Sequence, residues 1–299
     1  MVDIIKPRLN TSKLLGELKI HVSRSEKKLL NHHKESVSFL EKLGVTPKTI
    51  RHHAAKMAAT TAMTGMMLLS TPAIASHLPL SVSKYASYSS QELQSLLGHK
   101  ISALLPTDTL LLTDETEKTI SQLVKDIFAI DIKASLNNEK LNHSYGYIGV
   151  EQHLPRYPGD DVFQHGNLQE AGMTSGRGAW GYFAQSRDDL NQDLVNREKY
   201  YVAVQTLYLP DWAIRTKYLS DFYKYRKVAV INPTNGKVII CDIADSGPSN
   251  TTGKQFGGSP EVMQYLNLKD GSQKGKVVVF FVDDPNDKIP LGPVEYNRK

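Results

Sequence analysis

"VIICDIADSGPSNTTGK", residues 238–254, runs through six apolar or β-branched positions, ends on Asp245 and breaks at Ser246-Gly247-Pro248. The run predicts a buried strand, and Ser-Gly-Pro predicts a tight turn directly behind it. Asp245 then has two readings. It is either a turn aspartate bonding the backbone two residues on, or an acid held at the rim of a barrel for chemistry.

The surroundings predict a barrel. Upstream, "KVAVI" leads through Asn232-Pro-Thr-Asn-Gly236, where Asn-Gly supplies the positive φ that a hairpin loop needs. "GAWGYFA", "YYVAVQTLYL" and "KGKVVVFFV" are further β-branched and aromatic runs. Between the last two strands, Ser259-Pro260 opens a short helix, serine as cap and proline at the first position. A barrel with one inserted helix is expected over residues 177–285, followed by a tail at 286–299.

Before the barrel, residues 136–176 are rich in Asn, Gly, Pro and His and read as a loop-rich connector. Residues 76–135 read as helical. One helix starts at the capping box Ser89-x-x-Glu92, and a second opens near Asp114 and Glu115. The uncharged stretch at 57–75 follows Arg51, His52, His53 and Lys56 and ends in Ala73-Ile74-Ala75. That is the order of an export signal, and at 19 residues it is also just long enough to span a bilayer uncleaved. Residues 1–56 form a basic helical leader.

Charge follows the same division. The leader holds 12 Lys/Arg against 5 Asp/Glu, leaving 24 of the chain's 36 basic and 26 of its 31 acidic residues beyond it. The +5 net charge therefore belongs to the leader and not to the folded part. Nucleic-acid binding needs clustered positive charge on the folded part, so no nucleic-acid partner is expected.

The order of strand, N-x-x-N-G hairpin, strand, D-x-G-P and serine-led helix resembles the double-psi β-barrel of rare lipoprotein A-type septal lytic transglycosylases, and more distantly expansins. The resemblance spans about residues 177–282. With the helical reading of the N-terminal and middle segments, it implies an α+β protein that ends in a C-terminal six-stranded double-psi-like β-barrel. It also implies action on peptidoglycan or another wall glycan, with Asp245 at the position of the catalytic aspartate. This chain departs from the family at two points. Gln205 stands where the family carries histidine, and Gly257-Gly258-Ser259 stands in place of its D-L-S.

Asp242 is a poor partner for Asp245, because residues three apart on a regular strand face opposite ways, roughly 10 Å apart. A lytic transglycosylase can instead use one carboxyl as both acid and base if an apolar setting raises its pKa. Trp180 and Tyr182 are the expected sugar-stacking platforms, with Gln205, Asp242, Ser246 and Gly247 completing the substrate-binding set. Glu151, His153, Asp160, Asp161 and His165 have the residue types of a metal site, but their spacing fits no closed zinc pattern. Cys241 alternates with isoleucines and reads as a buried thiol. No metal and no cofactor is expected.

The leading expectation is an exported envelope protein that cleaves glycan strands, with membrane contact only through residues 57–75 if these stay uncleaved. A non-catalytic, expansin-like wall-glycan binding module is the first alternative. A structural envelope protein whose helical part binds a protein partner is the second.

Overall fold

Each long strand of the barrel buries both of its faces, one inside the barrel and one beneath helices. The computed structural model describes Tyr85 and residues 88–296, apart from 110 and 167. The basic leader and the export-signal stretch lie outside the described residues. Among the described residues no helix is long and apolar enough to cross a membrane.

Six strands close on themselves: β4 (Tyr145–Val150), β5 (Tyr201–Val204), β6 (Lys227–Ile231), β7 (Val238–Ser246), β8 (Phe256–Gly258) and β9 (Lys274–Val282). Around the barrel the order is β9-β4-β8-β5-β7-β6 and back to β9. The β4–β8 and β5–β7 pairs are parallel, and the other four are antiparallel. Two-residue strands extend this sheet, β1 (Ile132–Lys133) on β9 and β10 (Gly292–Pro293) on β7. β2 (Ser135–Leu136) and β3 (Glu139–Lys140) form a separate hairpin. With the five helices below, the chain is an α+β protein with a closed six-stranded barrel.

The interior holds Val202, Val204, Val228, Val230, Ile239, Cys241, Ile243, Phe256, Val279 and Phe281. Helices α4 (Trp212–Tyr223) and α5 (Pro260–Tyr265) add Phe222, Tyr223, Val262 and Met263 to the same cluster. The alternate residues of β6, β7 and β9 face outward. There Ala229, Ile231, Ile240, Val278 and Phe280 pack under α1 (Ser90–Leu104) and α2 (Asp114–Phe128). This second burial is why these strands read as unbroken apolar runs and not as alternating ones. Val294 and Tyr296 of the tail join it, Tyr296 packing edge-on against Phe128 at 4.6 Å.

The helix starts follow their caps. Ser89 and Glu92 form a reciprocal capping box on α1, and Thr113 caps α2 ahead of Asp114, Glu115 and Glu117. Ser259 caps α5, with Pro260 in its first turn.

The strand assignments differ from expectation in four places. "GAWGYFA" is an irregular loop with one Gly178–Gly181 bridge, and α3 (Gln192–Lys199) precedes the next strand. β5 stops at Val204, where a single 3-10 turn takes over. β4 lies in the stretch read as loop, and β8 was not anticipated. Both carry glycines because side chains from neighbouring segments lie across them. A Cβ at Gly149 would sit 2.3 Å from Lys254 Cδ, and one at Gly257 would sit 2.4 Å from Glu151 Cγ. Glycine lowers strand propensity, so the pattern that admits these contacts also hides the strands.

α1 meets the hairpin loop backbone to backbone. A Cβ at Gly98 would lie 2.8 Å from Gly236 N, and one at Gly236, where φ is +74°, would lie 1.9 Å from Gln94 O. In an exposed helix Gly→Ala gains about 1 kcal/mol. Here Gly98→Ala is expected to lose stability, and Gly236→Ala to lose more than about 2 kcal/mol, by urea unfolding. Gly176→Ala, which meets nothing within 4 Å, is the control expected to stay within about 0.5 kcal/mol.

Candidate functional site

Asp245 reaches the outer wall of the barrel through a β-bulge. Tyr201 pairs with Asp242 and Val202 with Ile243, but Ala203 pairs with Asp245, leaving Ala244 as the extra residue. An extra residue reverses the alternation, so Asp242 and Asp245 share the outer face, whereas a regular strand would set them on opposite faces. They remain far apart along the strand and have different surroundings.

Asp245 is half-buried. Its Oδ1 accepts the N–H groups of Ala179 at 2.9 Å and Ser246 at 2.8 Å. Among the described residues Oδ2 accepts no hydrogen bond from the protein. Burial pushes the Asp245 pKa up, and the two N–H bonds only partly oppose it. The carboxyl is thus oriented through one oxygen alone. In register across the wall from Asp245 stand Ala203, Gly257 and Gly149, all small.

Glu151, immediately after β4, closes the other side of this row. Its backbone N–H bonds Gly258 O at 2.8 Å, its side chain lies over Gly257, and Lys254 Nζ stands 3.3 Å from Oε1. Burial raises its pKa, the Lys254 charge opposes this, and the negative charge of Asp245 adds to the rise. Two carboxyls therefore share the wall closely enough to influence one another. Sequence reasoning weighed Glu151 only as a metal ligand, because its strand was not recognised.

The other expected residues divide. Ser246 Oγ hydrogen-bonds Thr206 Oγ1, and Gly247 N–H bonds Val204 O at 3.0 Å across a cis Gly247–Pro248 bond. Both flank Asp245. Gln205 is buried and donates to Pro248 O and Lys254 O, so its amide holds two loops together. His143 lines a small cavity with Gln205, Val204 and Thr206. Trp180 Nε1 donates to Ser220 on α4 and its ring packs against the core, whereas Tyr182 is 36% exposed with Arg177 over its ring. Asp242 is buried against Arg197 at 2.7 Å, away from any groove. Cys241 is fully buried, and burial pushes its thiol pKa up.

Behind the wall the structure gathers residues that lie far apart in sequence. His153 Nδ1 lies 3.1 Å from Glu198 Oε1, and its Nε2 lies 3.2 Å from Leu168 O. His165 Nε2 lies 2.8 Å from Asp160 Oδ2, which also accepts Arg156 Nε at 3.0 Å. Glu198 sits on α3 and Glu261 on α5, with Glu261 Oε2 4.0 Å from His153 Nδ1. Burial alone would raise the Glu198 pKa, but the two histidines outweigh it and hold it low. Of the residues first weighed as metal ligands, His153, His165 and Asp160 meet here, while Glu151 and Asp161 do not. Glu198 was missed, because on a charged helix nothing marks it from its neighbours.

Asp242 carries a pH prediction. Burial pushes its pKa up to about 7 although Arg197 opposes the rise. The unfolded value is about 3.9, so between about pH 4 and 7 the folded chain holds a proton that the unfolded chain has lost. This contribution is full below pH 4 and is lost as pH rises through 7. The wild-type advantage over Asp242→Asn should shrink by about 1.4 kcal/mol per pH unit across that window, in paired urea titrations.

No protein-family model matches the chain, and no curated protein matches it.

Proposed function

We propose that the chain is an exported envelope protein whose barrel cleaves peptidoglycan glycan strands, with Asp245 as the acid/base. The observation that carries this reading is the state of Asp245: a half-buried carboxyl of raised pKa, one oxygen held by two backbone N–H groups, the other without a donor among the described residues. The resemblance to rare lipoprotein A-type transglycosylases supplies the substrate class.

In this mechanism protonated Asp245 gives its proton to the glycosidic oxygen as the C1–O bond breaks. The resulting carboxylate takes the proton of the sugar's own 6-hydroxyl as that oxygen bonds to C1. The product is a 1,6-anhydro ring, and Asp245 regains its starting state without water being consumed. A raised pKa keeps the acid form populated nearer neutrality. Glu151, as carboxylate, would stabilise the positive charge that develops at C1. If Glu151 instead activates water, the pair works as an inverting hydrolase and the products keep free reducing ends.

A non-catalytic glycan-binding module is the second reading. Its support is Gln205, which occupies the family's histidine position and is engaged by Pro248 and Lys254.

The test incubates the purified chain with sacculi and reads soluble muropeptides by mass spectrometry. Anhydro products are expected, falling at least about 100-fold in Asp245→Asn and less in Glu151→Gln. The rate should decline as pH rises, because deprotonating Asp245 removes the acid. Reducing-end products would replace the transglycosylase step with hydrolysis. Wall binding without any products would leave the binding module standing.

A further inference from the structure

We propose that His153, His165 and Glu198 form a structural zinc site, with both imidazoles binding through Nδ1 and Glu261 as the fourth ligand. The first ground is the donor set. One ligand atom from each of His153, His165 and Glu198 lies within 4.8 Å of the other two. The measured pairs are 3.1 Å for His153 Nδ1 to Glu198 Oε1 and 3.2 Å for His165 Nδ1 to Glu198 Oε2. Tetrahedral zinc with bonds of 2.0–2.1 Å sets its ligands about 3.3 Å apart, so each imidazole already stands near that spacing from one oxygen of the Glu198 carboxylate. Glu261 Oε2, at 4.0 Å from His153 Nδ1, is within about 1 Å of that spacing from this histidine.

The second ground is what stands behind each imidazole. His165 Nε2 faces Asp160 Oδ2 at 2.8 Å, and His153 Nε2 faces Leu168 O at 3.2 Å. A carboxylate and a backbone carbonyl are the usual acceptors behind zinc-bound histidines. They hold the proton on Nε2 and turn the Nδ1 lone pair toward the metal. Asp160 is itself held by Arg156.

The third ground is unsatisfied chemistry. The His165 side chain has no solvent exposure, yet among the described residues its Nδ1 makes no hydrogen bond, although Glu198 Oε2 lies 3.2 Å away. Glu261 Oε2 is likewise buried and unpartnered. One cation would take both atoms as ligands. Zn²⁺ balances Glu198 and Glu261, and Arg156 balances Asp160, so the buried set is neutral.

The two histidine side chains and Glu198 are almost wholly enclosed, which leaves no open coordination position for a substrate. The role is therefore structural. The ion would tie the loop carrying His153 and His165 to α3 and α5, and the same loop continues to Ala179, whose N–H orients Asp245.

The experiment takes the tag-free full chain and measures bound zinc by elemental analysis. It follows melting with and without chelator, and then titrates zinc or cobalt back into the chelated protein. About one zinc per chain, a melting temperature several degrees lower after chelation and restored by zinc, and visible bands of tetrahedral cobalt are expected. His165→Ala should lose the stoichiometric metal, and Asp160→Asn should bind 10–100-fold more weakly. The wild-type readings need no variant to fold. A chain that takes up no zinc from excess, with melting indifferent to chelator, would overturn the proposal. So would one-to-one zinc retained in His165→Ala, because the ion would then sit elsewhere.

Discussion

A six-stranded barrel whose strands are apolar inside and out cannot leave its outer wall bare. Burying apolar area stabilises by about 25 cal/mol per Å², and the outward residues of β6, β7 and β9 recover that only beneath a cover. The α1–α2 hairpin and the C-terminal tail provide it, anchored where Gly98 meets Gly236 without intervening side chains. The wall formed by β5, β8 and β4 is covered differently. There the outward positions include Ala203, Gly257 and Gly149, and side chains from the segments at 151 and 254 lie across them. A helix needs an apolar partner surface, and this row does not offer one. What covers it is polar and only partly closed, which leaves room for a carboxyl.

The bulge at Ala244 decides which carboxyl. Asp242 and Asp245 both face outward and burial raises both pKa values, yet their surroundings separate them. Asp242 is sealed beside Arg197, so its proton is linked to folding stability. Asp245 is held by two backbone N–H groups on one oxygen, and its other oxygen accepts no hydrogen bond from the described residues. One inserted residue places two aspartates of one strand on the same wall, and burial beside Arg197 in one case and backbone donors in the other give them different tasks.

The buried cluster behind this wall shows how the polar cover holds its shape. Charges removed from water are costly unless each has a partner. Arg156, Asp160, His165, Glu198, His153 and Glu261 lie in one row of close contacts, drawing one loop onto α3 and α5. That loop delivers Ala179 to Asp245. The geometry of the candidate site thus depends on polar contacts made outside the barrel core.

By itself the sequence determined the local elements. Ser89 with Glu92 and Ser259 with Pro260 mark helix starts, Asn-Gly marks the β6–β7 hairpin, and the apolar runs mark β6, β7 and β9. Each signal lies within a few residues of the structure it specifies, so it can be read without knowing the fold. Only the tertiary structure decided the rest. β4 and β8 are concealed by glycines whose reason is a side chain more than 100 residues away, Lys254 over Gly149 and Glu151 over Gly257. The outward facing of Asp245 depends on a bulge set by pairing with β5, and no pattern within β7 reveals it. Glu151, Glu198 and Glu261 become neighbours of Asp245, His153 and His165 only when the barrel closes. A strand's facing and a cluster's membership follow from which distant backbones hydrogen-bond to one another, and that is a property of the closed sheet.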